Sequence, residues 1–165
     1  MYNLNIFDIC HIQPTWNDIY FGIKNKLLGV ESVREYAIKC LEVNDEYSQE
    51  ITDLAWPNDD VLDVIKMIEK ILEKEKHTQI CECSIKWQYC IIKNLLNDKL
   101  SFEGLTSKLD EIYADFDYPE DMEEFISYMP VKDEYKPIEH SREENKKRIL
   151  DKIDIFLAKK EQQIK

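Results

Sequence analysis

Between Asp115 and Glu124, six carboxylates fall within ten residues: Asp115, Asp117, Glu120, Asp121, Glu123 and Glu124. Clustered carboxylates do three kinds of chemistry. They hold a hard cation, act as a general acid and base, or present fixed negative charge to a cationic partner. The enclosing segment 113–130, YADFDYPEDMEEFISYMP, contains no Lys or Arg and five aromatics: Tyr113, Phe116, Tyr118, Phe125 and Tyr128. A helix whose wet face is merely solvated mixes both signs, so this composition favours the third use. Acids at a helix start are each stabilising by ~0.3–1 kcal/mol, which accounts for Glu120, Asp121, Glu123 and Glu124. It does not account for Asp115 and Asp117, which precede that start.

The cation reading has little support in spacing. A calcium loop of the EF-hand type needs a central glycine, and the 115–121 carboxylates have none. A metal-dependent hydrolase using Asp115, Asp117 and Glu120 stays open as an alternative function. A second candidate set, His77, Cys81, Cys83 and Cys90, invites a tetrahedral zinc site. Cys81 and Cys83 are two apart at a helix start, where side chains diverge, and no second pair follows. His11, His77 and His140 belong to no nucleophile-elbow or metalloprotease pattern, and the adjacency of Cys10 and His11 does not bring their side chains together. The expectation is no catalytic residue, no metal and no cofactor.

The charge balance narrows the partner. Net charge is −12, from 34 acids and 22 bases. Residues 1–131 carry 26 acids and 12 bases, and residues 132–165 carry 8 acids and 10 bases. An acidic body repels phosphate backbones, so a nucleic-acid partner is not expected. A basic protein would be steered toward it. A further stretch without Lys or Arg spans residues 42–63, with Glu42, Asp45, Glu46, Glu50, Asp53, Asp59, Asp60 and Asp63. No apolar run is long enough for a membrane span, and the N-terminus lacks a basic region followed by an apolar one. With five cysteines, an odd number, these features predict a cytoplasmic protein with reduced thiols.

Helices must position these groups. Glycine is scarce, three in 165 residues, which disfavours tight hairpins. Tyr2, Leu4 and Ile6 alternate, so residues 1–14 read as a short strand or extended arm. Trp16, Ile19, Tyr20, Ile23 and Leu27 then step by three and four, placing them on one helix face. Ser32 and Glu35 form a capping-box pattern for the next helix. A shorter helix fits Tyr47 to Trp56. Asn58 or Asp59 would cap a helix whose stripe is Val61, Leu62, Ile65, Ile68 and Leu72, closed by Lys70, Lys74 and Lys76. Residues 81–97 form another, through Ile85, Tyr89, Ile92 and Leu96, and Ser101 caps one bearing Phe102, Leu105, Leu109 and Ile112. Pro119 opens a helix with Met122, Phe125, Ile126 and Met129 inward. Residues 130–140 are a loop, and Ser141 with Glu144 starts the last helix. The fold expected is all-α, a single compact domain of about eight helices over residues 1–165.

The string IYADFDYPEDMEEFISYMP, residues 112–130, resembles the signature of an uncharacterised family of small, acidic, all-helical bacterial proteins. Trp16-Asn17-Asp18-Ile19, VREYAIKCL (residues 33–41) and Lys86-Trp87 are similar to it as well. In size and acidity such proteins resemble immunity proteins, which protect a bacterium from its own polymorphic or contact-dependent toxins. The resemblance implies a non-enzymatic inhibitor of a cognate toxin domain, a basic nuclease by the charge argument. The expected toxin-binding residues are Asp115, Asp117, Tyr118, Glu123 and Glu124, with Tyr113 and Tyr128 as further aromatic anchors and Phe116 either an anchor or part of the core. A helical adaptor that binds a peptide in a groove is the other alternative.

Overall fold

The computed structural model describes residues 1–43, 48–75 and 80–164. Asp45, Glu46, Tyr47, Lys76 and His77 lie outside them. The architecture is all-α, as the sequence predicts, and among the described residues the only β pairing is an isolated bridge between Tyr2 and Leu28. The chain divides into two compact units, Met1–Trp87 and Gln88–Lys165.

The first unit holds α1 (Asn5–Ile9), α2 (Trp16–Lys24), α3 (Val30–Val43), α4 (Gln49–Leu54), α5 (Val61–Glu75) and the start of α6 (Ile80–Asn97). Residues 1–14 are not the strand or extended arm that alternation suggests. Leu4, Ile6 and Phe7 are all buried, and one helical turn achieves this by setting Leu4 and Phe7 on the same side. Asn3 starts that turn by accepting the Asn5 amide, 3.0 Å. Only Tyr2 keeps extended pairing, its amide donating to the Leu27 carbonyl at 2.7 Å.

Helix α2 begins at a capping box that substitutes Asp for the usual Glu. The Thr15 amide donates to Asp18 Oδ2 at 2.8 Å, and the Asp18 amide donates back to Thr15 Oγ1 at 3.4 Å. Ser32, by contrast, does not start α3. The helix begins at Val30, with the Val33 amide donating to the Gly29 carbonyl, so Ser32 falls inside the first turn. Asp60, rather than Asn58 or Asp59, caps α5 by accepting the Leu62 and Asp63 amides. The α5 stripe is also shifted: Val64, Ile68 and Ile71 are buried, whereas Val61 and Leu62 stand in solvent. Helices α2, α3, α4 and α5 pack on one another around Trp16, Ile19, Ile23, Val33, Ala37 and Leu54.

The second unit holds the rest of α6, then α7 (Phe102–Asp115), a 3₁₀ helix Glu120–Phe125, a 3₁₀ turn Pro137–Glu139 and α8 (Arg142–Ile164). Ser101 caps α7 through the Gly104 amide, and Ser141 with Glu144 forms the capping box of α8, both as the sequence indicates. The segment after Pro119 is not a full α-helix. Asp110 captures the Ser127 amide at 3.1 Å and its hydroxyl at 2.6 Å, drawing Ser127 away from a helical path. Met122, Phe125 and Ile126 are nonetheless buried, and Phe125 meets Phe156 of α8 edge-on at 5.2 Å.

Candidate protein-binding face

Helix α7 delivers the candidate segment through its C-terminal turn. The Asp117 amide donates to the Ala114 carbonyl and the Tyr118 amide reaches back to the Tyr113 carbonyl, at 3.1 and 2.9 Å. Both residues are left-handed, with φ of 59° and 60°. Two successive non-glycine residues in that region are uncommon and cost ~1–2 kcal/mol each. The turn sends the Tyr118 ring back over Tyr113, edge-on at 5.2 Å, and Tyr128 tilts against the same ring at 6.3 Å. Tyr118 and Tyr128 are more than half exposed, while Tyr113 is 2% exposed. Tyr113 is therefore the support for two outward tyrosines, not an anchor itself. Phe116 is half-buried.

Burial first, then the Glu123 charge, raises the Tyr113 phenol above its ordinary pKa. Burial and the neighbouring Asp110 charge raise Tyr128. Both phenols thus stay protonated, as donors, through the neutral range.

The segment lacks Lys and Arg in sequence, yet three lysines engage four of its acids in space. Lys132 lies 2.8 Å from Glu123 and 3.6 Å from Glu120. Lys152 lies 3.2 Å from Glu124, and Lys160 lies 2.7 Å from Asp121. Hydrogen bonding to Glu123 raises the Lys132 pKa, so that cation is firmly charged. Lys152 and Lys160 are two turns apart on α8 and so share one face. The excess of bases in residues 132–165 was the sequence signal for these pairs. Asp115 and Asp117 differ: both are exposed, and among the described residues neither carboxylate has a hydrogen-bond or ion-pair partner. Of the five site residues expected, Asp115, Asp117 and Tyr118 face solvent together at one helix end. Glu123 and Glu124 are engaged by lysines.

Four of the acids at 42–63 have partners within the first unit, and Asp45 and Glu46 lie outside the described residues. Glu50 pairs with Lys74 at 2.7 Å, and that hydrogen bond lowers its pKa to about 2. Asp63 accepts from Asn58, Asp53 accepts from Gln49, and Asp60 serves as the α5 cap.

Among the described residues no group of three or more His, Cys, Asp or Glu is placed to hold one metal ion. His77 and the Cys81 side chain lie outside the described residues. Cys83 and Cys90 are buried in α6. Burial, with Asp18 beside it, pushes the Cys83 thiol up to about 12. Among the described residues, no helix is long and apolar enough to cross a membrane.

A family model described as "Uncharacterized protein conserved in bacteria (DUF2247)" matches residues 4–161. No curated protein and no solved structure matches the chain.

Proposed function

The chain belongs to this family of proteins conserved in bacteria, and from that premise we propose that it is an immunity protein. It binds a cognate toxin domain with a basic surface in the cytoplasm and blocks it without chemistry of its own. One observation carries the reading. Three lysines engage Glu120, Asp121, Glu123 and Glu124, while among the described residues Asp115 and Asp117 stand unmatched beside two exposed tyrosines. Unmatched carboxylates add to self-repulsion within a chain of net charge −12, so their use lies outside the fold.

A nuclease toxin must carry a cationic, phosphate-facing surface. Fixed carboxylates complement it and steer the encounter, while tyrosines give large contact area at little cost in conformational entropy.

The test is co-expression with the C-terminal toxin domain encoded beside this gene. A stoichiometric complex on gel filtration, together with restored growth, is the expected result. If no neighbouring product forms a complex, the reading is wrong.

A further inference from the structure

The first unit exposes large apolar side chains, among them Val61 and Leu62, which helical periodicity would bury. Trp56, just past α4, is 70% exposed, and Val61 and Leu62, in the first turn of α5, are 46% and 69% exposed. Helices α4 and α5 pack together, so these residues sit at one junction. Exposed carboxylates accompany them: Asp53, Asp59 and Asp60. No Lys or Arg occurs between Lys39 and Lys66; the Arg34 guanidinium, which donates from Nε to the Ala55 carbonyl beside Trp56 at 3.3 Å, is itself paired with Glu31 at 2.9 Å, so the three carboxylates dominate the rim.

We infer that Trp56, Val61 and Leu62 form a second docking surface, and that its occupant is a cationic, apolar-faced segment of another protein. Charge complementarity selects this occupant. Nucleic acid and an anionic bilayer are repelled by the three carboxylates. A second copy of the chain, joined about a two-fold axis through this patch, would set Asp53, Asp59 and Asp60 against themselves. With −12 on each chain, that apposition is unfavourable. A segment with Lys or Arg flanking apolar side chains covers the indole and leucine while neutralising the rim. Exposed tryptophan is also the residue type that most often dominates binding energy once covered.

The two other tryptophans, Trp16 and Trp87, are 5% and 0% exposed, so Trp56 supplies the solvent-sensitive fluorescence. The experiment titrates the full chain with an amphipathic Lys/Leu peptide and, separately, with its Glu/Leu counterpart. The Lys/Leu peptide is expected to blue-shift Trp56 emission and shield it from acrylamide. Leu62→Ser should weaken that binding roughly tenfold or more. Asp53→Asn with Asp59→Asn should weaken it and flatten its salt dependence. An absent shift, an equal response to the Glu/Leu peptide, or parent-like binding by Leu62→Ser overturns the inference. So does concentration-dependent dimerisation abolished by Leu62→Ser, which would make a second copy the occupant.

Discussion

Asp18 and Lys86, 68 positions apart in sequence, form a buried ion pair at 3.1 Å. Asp18 is wholly buried and also closes the capping box of α2. Its backbone carbonyl accepts the Trp87 indole N–H at 2.8 Å, so the start of α2 is tied twice to α6. Among the described residues Asp18 Oδ1 has no N–H or O–H donor, and the weak thiol donor of Cys83 faces this carboxylate. The sequence strings at 16–19 and 86–87 are thus the two halves of one contact.

Lys86→Met should therefore be costly. It leaves the Asp18 charge with the Thr15 donors and the weak Cys83 thiol in an apolar setting, where breaking a buried pair costs ~3–5 kcal/mol. The lower end applies, because the Lys86 side chain keeps 18% of its exposure. Adding Asp18→Asn should recover part of the loss, since no unpaired charge is then buried. Urea denaturation of the two variants checks this. A loss below about 1 kcal/mol for Lys86→Met would class the pair with solvent-screened ones.

Gly22→Ala tests the packing beneath that contact. A Cβ at Gly22 would lie 2.5 Å from Trp87 Cζ2. The indole cannot retreat easily, being held by Asp18 and wedged edge-on against Phe7 at 4.9 Å. Overpacking of this kind costs ~1–3 kcal/mol, more than alanine's helix preference returns. Thermal unfolding should show a lowered Tm. An unchanged or higher Tm would mean the indole shifts freely.

Local chemistry was legible in the sequence where it acts within four residues. Ser101 and the Ser141–Glu144 box mark real helix starts because the cap and the amide it binds are close in sequence. The Thr15–Asp18 box lacks the usual Glu or Gln of the pattern because its acid is Asp, and the Ser32–Glu35 pattern falls inside α3, whose first turn is already closed by the Val33 amide on the Gly29 carbonyl. Periodicity placed Val61 and Leu62 in the core, but a stripe shows only which residues share a face. The neutralisation of Glu123 by Lys132 and of Asp121 by Lys160 is tertiary, and no local pattern encodes it. The Asp115–Tyr118 turn was legible as composition only. Its left-handed backbone depends on the Tyr118 amide reaching the Tyr113 carbonyl.

Glu50 makes acid sensitivity testable. The hydrogen bond from Lys74 lowers its pKa to about 2 from an ordinary 4.5. A carboxylate depressed in the folded state contributes stability that is complete above the unfolded value and is lost as pH falls through the folded one. The contribution should fade between pH 4.5 and about 2. Lys74→Met should move the Glu50 carboxyl resonance back toward ordinary titration and reduce the pH slope of stability in that window. A parent Glu50 titrating near 4.5 would contradict the pairing.

The final prediction separates fold from recognition at Asp115 and Asp117. Reversing both to Lys removes no ion pair or side-chain hydrogen bond among the described residues. The left-handed position of residue 117 is the one expense, about 1 kcal/mol or less, because Asp tolerates that region better than Lys. Circular dichroism and Tm should stay near the parent's. Association with the cognate toxin domain should slow by roughly tenfold or more at low salt, and the remaining rate should lose its steep salt dependence. Tyr118→Ala and Tyr128→Ala should act differently, raising the dissociation rate while leaving association nearly unchanged. Stopped-flow association at two ionic strengths, with surface plasmon resonance for dissociation, distinguishes the two effects. If the charge-reversed variant associates as fast as the parent, the carboxylates are not the steering groups. If it unfolds, the turn serves the fold and the docking face lies elsewhere.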